Sequence, residues 1–379
     1  MSNRWLWWLV LAVPLACGRV MSSAPSAAQG GQSMGAGAAM GGGAAATVGG
    51  TNGAGTSGMA AAPTGVGGTP TEGGASSGGS GAEAGAAAEP LPLEQPSCQA
   101  LEVPCGQAQT SCCESTEVSG GSFVRYDGNS AAASDFRLDK FEVTVGRFRA
   151  FVDQYPNDLP APNSGKNPHD GQDTGWDPSW NQQLLPSAAE LRNALACSPP
   201  VSSWDDEPAD NENRPINCVT WYEAEAFCIW DGGRLPSDLE WEYAARGGDR
   251  KRHVPWSDMA TNSPYGFANC GRNSGAQGIA QIWPVGSSPA GDGRWGQSDL
   301  AGNLWEYTVD YFGPALDCAD CARHVPTTPV TPAGQDLSHM SRGGSYAFDL
   351  GNGLWWRDYY PTGPRDPHLG FRCAYSSKP

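Results

Sequence analysis

Between Trp8 and Phe123 the chain has no aromatic residue, and between Arg19 and Arg125 it has no Lys or Arg. Gly, Ala, Ser, Thr and Pro dominate that tract. Such a segment cannot bury enough apolar area to offset the entropy of ordering its backbone. The core must therefore be built from the rest, starting near residue 98, and that length suits one large domain. Four segments are expected: 1–17, 18–97, a Cys-rich lead-in at 98–122, and a main domain at 123–379. The net charge is −17, from 40 acidic and 23 basic residues. It argues against a nucleic-acid partner, whose phosphates need a basic face. It leaves carboxylates free for a hard cation such as calcium.

Residues 1–17 read MSNRWLWWLVLAVPLAC. Arg4 precedes an apolar run too short to span a membrane, and Ala16 stands before Cys17. The segment resembles a bacterial lipoprotein signal, which implies cleavage before Cys17 and lipid attachment to its sulfur. Pro14 stands where Leu is usual, so plain secretion is the alternative. The expectation is an exported protein of the cell envelope, held to the membrane through a lipid anchor. Residues 18–97 then form a tether, a coil of about 80 residues with a root-mean-square span of roughly 50 Å.

Export makes the twelve cysteines candidates for disulfides rather than catalytic thiols. With Cys17 lipidated the remaining number is odd, so one thiol is expected outside the intramolecular bridges. Cys318-Ala-Asp-Cys321, followed by His324, has too few ligands nearby for zinc and reads as a disulfide.

Two capping boxes mark helices. Thr220-Trp-Tyr-Glu223 predicts a helix from Trp221 to Trp230, ended by Gly232-Gly233, with Trp221, Ala224, Cys228 and Ile229 on its buried face. Ser237-Asp-Leu-Glu240 predicts a second, ending near Arg246. A strand from Phe136 to Val143 and a helix from Thr144 to about Gln154 precede them. Beyond Gly248 periodicity is poor, yet twelve of the 15 Trp fall between Trp176 and Trp356. Large side chains and crosslinks, rather than regular elements, are expected to pin that part.

Six segments in order carry a family likeness: Phe136 to Thr144, Cys218 to Ala224, Gly233 to Gly247, Asp299 to Glu306, Arg342 to Tyr346, and Leu369 to Cys373. Together they resemble the formylglycine-generating enzyme, or sulfatase-modifying factor, family over about residues 120–376. The resemblance implies an irregular α+β domain of low secondary-structure content, C-type-lectin-like. Family enzymes bind copper(I) through two cysteines and oxidise a substrate cysteine with oxygen. Soft thiolates suit copper(I), but here those positions are Phe348 and Gly353. Copper and the oxidase activity are therefore not expected.

The resemblance also implies a Cys228–Cys373 disulfide, while Ala245 removes the family's second crosslink. It places calcium among Asp299, Gly302, Leu304 and Glu306. A further calcium site, at Asn269, Cys270, Gln277 and Ile279, is weakened because Gln277 replaces an acid. Groove candidates beside the lost thiols are Ser345, Asp349, Arg357 and Asp358, walled by Trp305, Trp355 and Trp356. An Asp can act as general base and an Arg can hold an anion. The five His, at 169, 253, 324, 339 and 368, lack metal spacing and read as surface or structural residues. The expected function is a calcium-stabilised binding module for a peptide, a glycan or an envelope protein. The alternative is an oxidoreductase of the same family with non-cysteine chemistry in the same groove.

Overall fold

The computed structural model describes residues 95–99, 101–258, 266–271, 281–326, 337–348 and 357–377. The chain opens with short strands β1 (Pro104–Cys105), β2 (Thr110–Ser111), β3 (Ser115–Val118), β4 (Gly121–Val124), β5 (Ser130–Ala133) and β6 (Phe136–Asp139). Helices α1 (Val145–Gln154), α2 (Ala188–Leu195), α3 (Trp221–Trp230) and α4 (Asp238–Ala245) follow. Strands β7 (Trp305–Tyr311), β8 (Ser338–Arg342), β9 (Asp358–Pro361), β10 (Leu369–Gly370) and β11 (Ala374–Ser376) complete the order.

Two larger sheets organise these pieces, beside the two-stranded pairs β1-β2 and β4-β5. One is three-stranded, in the order β11-β6-β3, and the other four-stranded, in the order β10-β7-β8-β9. Strand β3 lies antiparallel to β6, Ser115 opposite Asp139. The Cys-rich lead-in is thus woven into the domain's own sheet rather than preceding it. Its cysteines close locally, Cys98 with Cys113 and Cys105 with Cys112. Three further bridges join Cys197 to Cys218, Cys228 to Cys373 and Cys318 to Cys321. Cys270 is buried outside these five crosslinks.

Both capping boxes form. Thr220 Oγ1 accepts from the Glu223 N–H while the Glu223 carboxylate accepts from the Thr220 N–H, and Ser237 and Glu240 do the same. Helix α3 departs from the amphipathic expectation, because every residue from Trp221 to Cys228 is buried. The reason is tertiary. Phe227 packs between Phe148 of α1 and Phe371 beside β10, and Trp180 lies edge-on over Trp221 at 5.2 Å. A helix covered on all sides needs no polar stripe. Strand β6 stops at Asp139, short of Val143, where the carboxylate accepts from Arg147 Nη1 at 2.9 Å and the Cys373 N–H at 3.1 Å. Helix α2 was not foreseen, although Ser187 caps it through the Glu190 N–H.

Candidate functional site

The Gly-Gly-Ser turn leaves β8 with Gly343 at φ 94° and Gly344 at φ 80°, conformations that exclude a Cβ at little cost only in glycine. The turn carries Ser345 into full burial, where its Oγ accepts from the Ala347 N–H at 3.4 Å. That hydroxyl braces a turn. The Tyr346 N–H donates to the Asn303 carbonyl at 2.7 Å, tying the turn to the Gly-Asn-Leu-Trp-Glu loop. Phe348 follows, 42% exposed, its carbonyl accepting from the Gly271 N–H.

The Phe348 ring meets the His368 imidazole edge-on at 5.5 Å, and the Tyr346 ring lies 5.2 Å from the same imidazole. His368 is set by Asp366. Its Nδ1 lies 2.9 Å from Asp366 Oδ1, and its backbone N–H donates to the same oxygen at 2.8 Å. Burial pushes the Asp366 carboxyl up, but these bonds and the imidazole beside it outweigh burial and hold it below its ordinary value. A carboxylate at Nδ1 fixes the proton there and leaves Nε2 as an acceptor. The described residues offer Nε2 no hydrogen-bond partner. The His368 carbonyl accepts from the Trp305 N–H at 2.8 Å, which joins this corner to β7.

Among the described residues Trp305 Nε1 and the Tyr307 and Tyr346 hydroxyls are buried without a hydrogen-bond partner, and both tyrosines lie within electrostatic reach of Asp366. Trp305 and Tyr307 are two residues apart on β7 and so share a face. Burial, with Asp366 adding to it, raises both tyrosine hydroxyls, Tyr346 to about 12. Asp366, Tyr307 and Tyr346 are not among the site candidates read from the sequence, and His368 is read there only as a surface or structural histidine. The available signal was Asp366-Pro-His368, directly ahead of the Leu369 to Cys373 segment.

The other expected groove residues go elsewhere. Arg357 is not free to hold an anion: Nη2 lies 2.9 Å from Asp238 Oδ2, and Nη1 donates to the Gly313 carbonyl. It joins Arg125 and Arg342 around Asp238 and Glu242. Burial raises Asp238, but these three guanidinium groups reverse it and drive the carboxyl far below its ordinary value. Asp358 sits on β9 with Oδ1 accepting from the Tyr359 N–H, and burial lifts its carboxyl. Asp349, Gly353, Trp355 and Trp356 lie outside the described residues, as do Gln277 and Ile279.

The proposed calcium loop has a different centre. Glu306 Oε1 accepts from Arg372 Nη2 at 2.7 Å, and Oε2 from Arg372 Nε at 2.7 Å and Trp241 Nε1 at 2.8 Å. Asp299 Oδ2 accepts from the Gly286 N–H at 2.6 Å, and burial pushes this carboxyl up to about 6. Glu142 accepts from the Leu304 N–H at 2.9 Å and from Asn303 Nδ2 at 2.6 Å. The cation between these chains is the Arg372 guanidinium, which also donates to the carbonyls of Asp139, Lys140 and Ser298. Asp299, Gly302, Leu304 and Glu306 therefore do not fit a calcium cage as arranged. Among the described residues no group of three or more His, Cys, Asp or Glu is placed to hold a metal. Asn269, of the further site, has its Nδ2 on Asn303 Oδ1 and the Gln281 carbonyl.

Residues 100–377 match the model of the sulfatase-modifying factor enzyme 1-like domain. The chain is 34% identical over 186 residues to the formylglycine-generating enzyme of Mycobacterium tuberculosis, covering 45% of this chain and 60% of that one. It is 28% identical over 260 residues to the inactive C-alpha-formylglycine-generating enzyme 2 of Mus musculus, covering 64% and 75%. The solved structure of PvdO from Pseudomonas aeruginosa aligns over 70% of this chain and 95% of its own, with 17% identity and a TM-score of 0.44. The α+β arrangement, the domain-wide match and the curated relatives agree: this chain belongs to the sulfatase-modifying factor enzyme 1-like domain family.

Proposed function

We propose that this chain is an exported binding protein, anchored in the bacterial cell envelope through Cys17, and that it uses the groove at Phe348 for recognition rather than for cysteine oxidation. The observation that carries this reading is Phe348 itself. Where the resemblance calls for a copper-binding thiol, a half-exposed aromatic ring packs on His368 and faces solvent. A phenyl ring cannot ligate copper(I), and it supplies apolar contact area at small conformational cost. Cys270 does not replace the thiol, because it packs in a buried cluster with Trp241, Ala245 and Leu300. A relative whose name calls it inactive supports the same view.

A second reading, an enzyme with non-cysteine chemistry, is favoured by the Asp366–His368 pair, which leaves an imidazole nitrogen available as a base. Oxygen uptake by the purified full chain, loaded with copper(I) and given a cysteine-containing sulfatase peptide, tests the proposal. No uptake above a protein-free control is expected. Turnover that depends on the chain would overturn it.

A further inference from the structure

Helix α1 turns one face away from the core. Gly146, Arg149, Ala150, Asp153 and Gln154 recur at helical spacing and lie along it. Near the helix start both neighbouring segments close in on Gly146. Its N–H donates to the Glu212 carbonyl at 3.0 Å, and a Cβ there would come within 2.8 Å of Leu101 Cδ1. One turn on, Ala150 adds only a methyl, and an open cleft of about 690 Å³ remains. That volume lies within the roughly 300–1,000 Å³ that ligand clefts span. The other walls are the lead-in, with Pro96, Leu101 and Val103, and the side chains of Pro208 and Trp230. The lead-in wall is fixed in place. The Ser97 N–H donates to Asp231 Oδ1 at 2.9 Å, its Oγ accepts from Arg147 Nε at 3.1 Å, and Cys98 is crosslinked to Cys113. A preformed wall lowers the cost of binding.

Charge then selects the occupant. Glu102, Asp153, Asp158 and Glu212 bring carboxylates to the cleft, against one Arg or Lys among its described lining residues, Arg149. Arg149 is already engaged. Glu212 accepts from its Nε at 3.1 Å and its Nη2 at 2.6 Å, and the Asp206 and Asp205 carbonyls accept from Nη1 and Nη2. Asp153 faces Arg192 at the rim. Glu102 and Asp158 are exposed, and neither has a hydrogen-bond or ion-pair partner among the described residues. An anionic group would meet two bare carboxylates and no free guanidinium, whereas a cation gains both charges. The walls ask for more than charge. Trp230 is half-buried along the cleft, and an indole is the aromatic that best attracts a guanidinium or ammonium. Leu101, Val103 and the two prolines suit apolar side chains beside it. A peptide with a basic residue among apolar ones supplies both.

We propose that this cleft docks a basic, partly apolar segment of a partner protein, with Glu102 and Asp158 pairing its arginine or lysine and Trp230 packing beside that side chain. The cleft shares no lining residue with the groove at Phe348, and the proposal is independent of the reading given to that groove. The full chain is tested on an array of short peptides of varied charge and hydropathy. Retained peptides are titrated by fluorescence anisotropy, with spermidine titrated alongside as a free amine. Retained peptides should combine Arg or Lys with apolar neighbours. Glu102→Gln with Asp158→Asn should weaken them roughly tenfold. The chain's net charge of −17 attracts any basic peptide, so a control pair is needed. Asp127→Asn with Asp317→Asn removes the same charge at exposed positions outside the cleft and should weaken binding by about twofold at most. Ala150→Trp, which fills the cleft without changing charge, should cost as much as the cleft pair. Glu102, Asp158 and Ala150 all reach the surface, so their variants should melt with the parent, which separates lost binding from lost folding. No retained basic peptide, equal losses in the cleft and control pairs, or undiminished binding by Ala150→Trp overturns the proposal. Spermidine binding as tightly as the best peptide also overturns it, by assigning the cleft to a free amine.

Discussion

Glu306 shows how one partner redefines a residue. The family resemblance implies a calcium ligand at this position; in the fold Glu306 is a fully buried half of an ion pair with Arg372. Removing one partner of such a pair leaves an uncompensated charge in the interior, which costs about 3–5 kcal/mol. Glu306→Gln should lower unfolding free energy by about that amount, read by guanidinium denaturation. The loss should be the same in calcium and in chelator, because the countercharge is a guanidinium. A parent that melts higher in calcium, beside a variant that does not, would restore the calcium cage. His368 makes the converse point. It lacks metal spacing and reads from sequence as surface or structural, yet Asp366 and the rings of Tyr346 and Phe348 gather around it.

Among the elements, α3 and α4 were legible to the residue, because a capping box is a contact between positions three apart. What surrounds α3 was not legible, and Glu225 carries the consequence. It stands four residues from both Trp221 and Ile229, an acid on the buried face, and its Oε2 accepts from the Leu235 N–H at 2.8 Å. Burial, reinforced by Asp173, pushes the carboxyl up to about 8, against the opposing pull of the Leu235 N–H and Arg234. The folded state thus holds this proton more tightly than the unfolded chain does. Its contribution is complete below the ordinary carboxyl range and is lost as pH rises toward about 8. Glu225→Gln removes that loss. Melting temperatures of parent and variant should nearly coincide at pH 5 and separate by pH 8.5, with the variant higher. The gap grows at up to about 1.4 kcal/mol per pH unit within the window. A constant gap across pH would remove Glu225 from the account.

For the whole molecule, short strands and irregular loops are held by a few long-range ties. Cys228 on α3 joins Cys373, next to β11, across a sequence separation of 145. Closing so long a loop restricts the unfolded chain and stabilises the fold by up to about 5 kcal/mol in the chain-entropy account. Replacing both cysteines by alanine should lower the denaturation midpoint substantially, and far more than replacing Cys105 and Cys112, whose separation is 7. Equal losses would show that strain or packing, not loop closure, sets the effect.

The amino-acid sequence by itself determined where folding begins, the helix starts at Thr220 and Ser237, the family scaffold, and the replacement of the copper thiols by Phe348 and Gly353. These depend on composition, on contacts a few residues long, or on identity at a position. Only the tertiary structure decided that Glu306 meets Arg372, 66 residues away, that Arg357 meets Asp238 and not a ligand, and that His368 stands open beside Phe348. A side chain's role in the interior is set by which distant charge or ring packing brings within hydrogen-bond reach, and no local pattern encodes that distance.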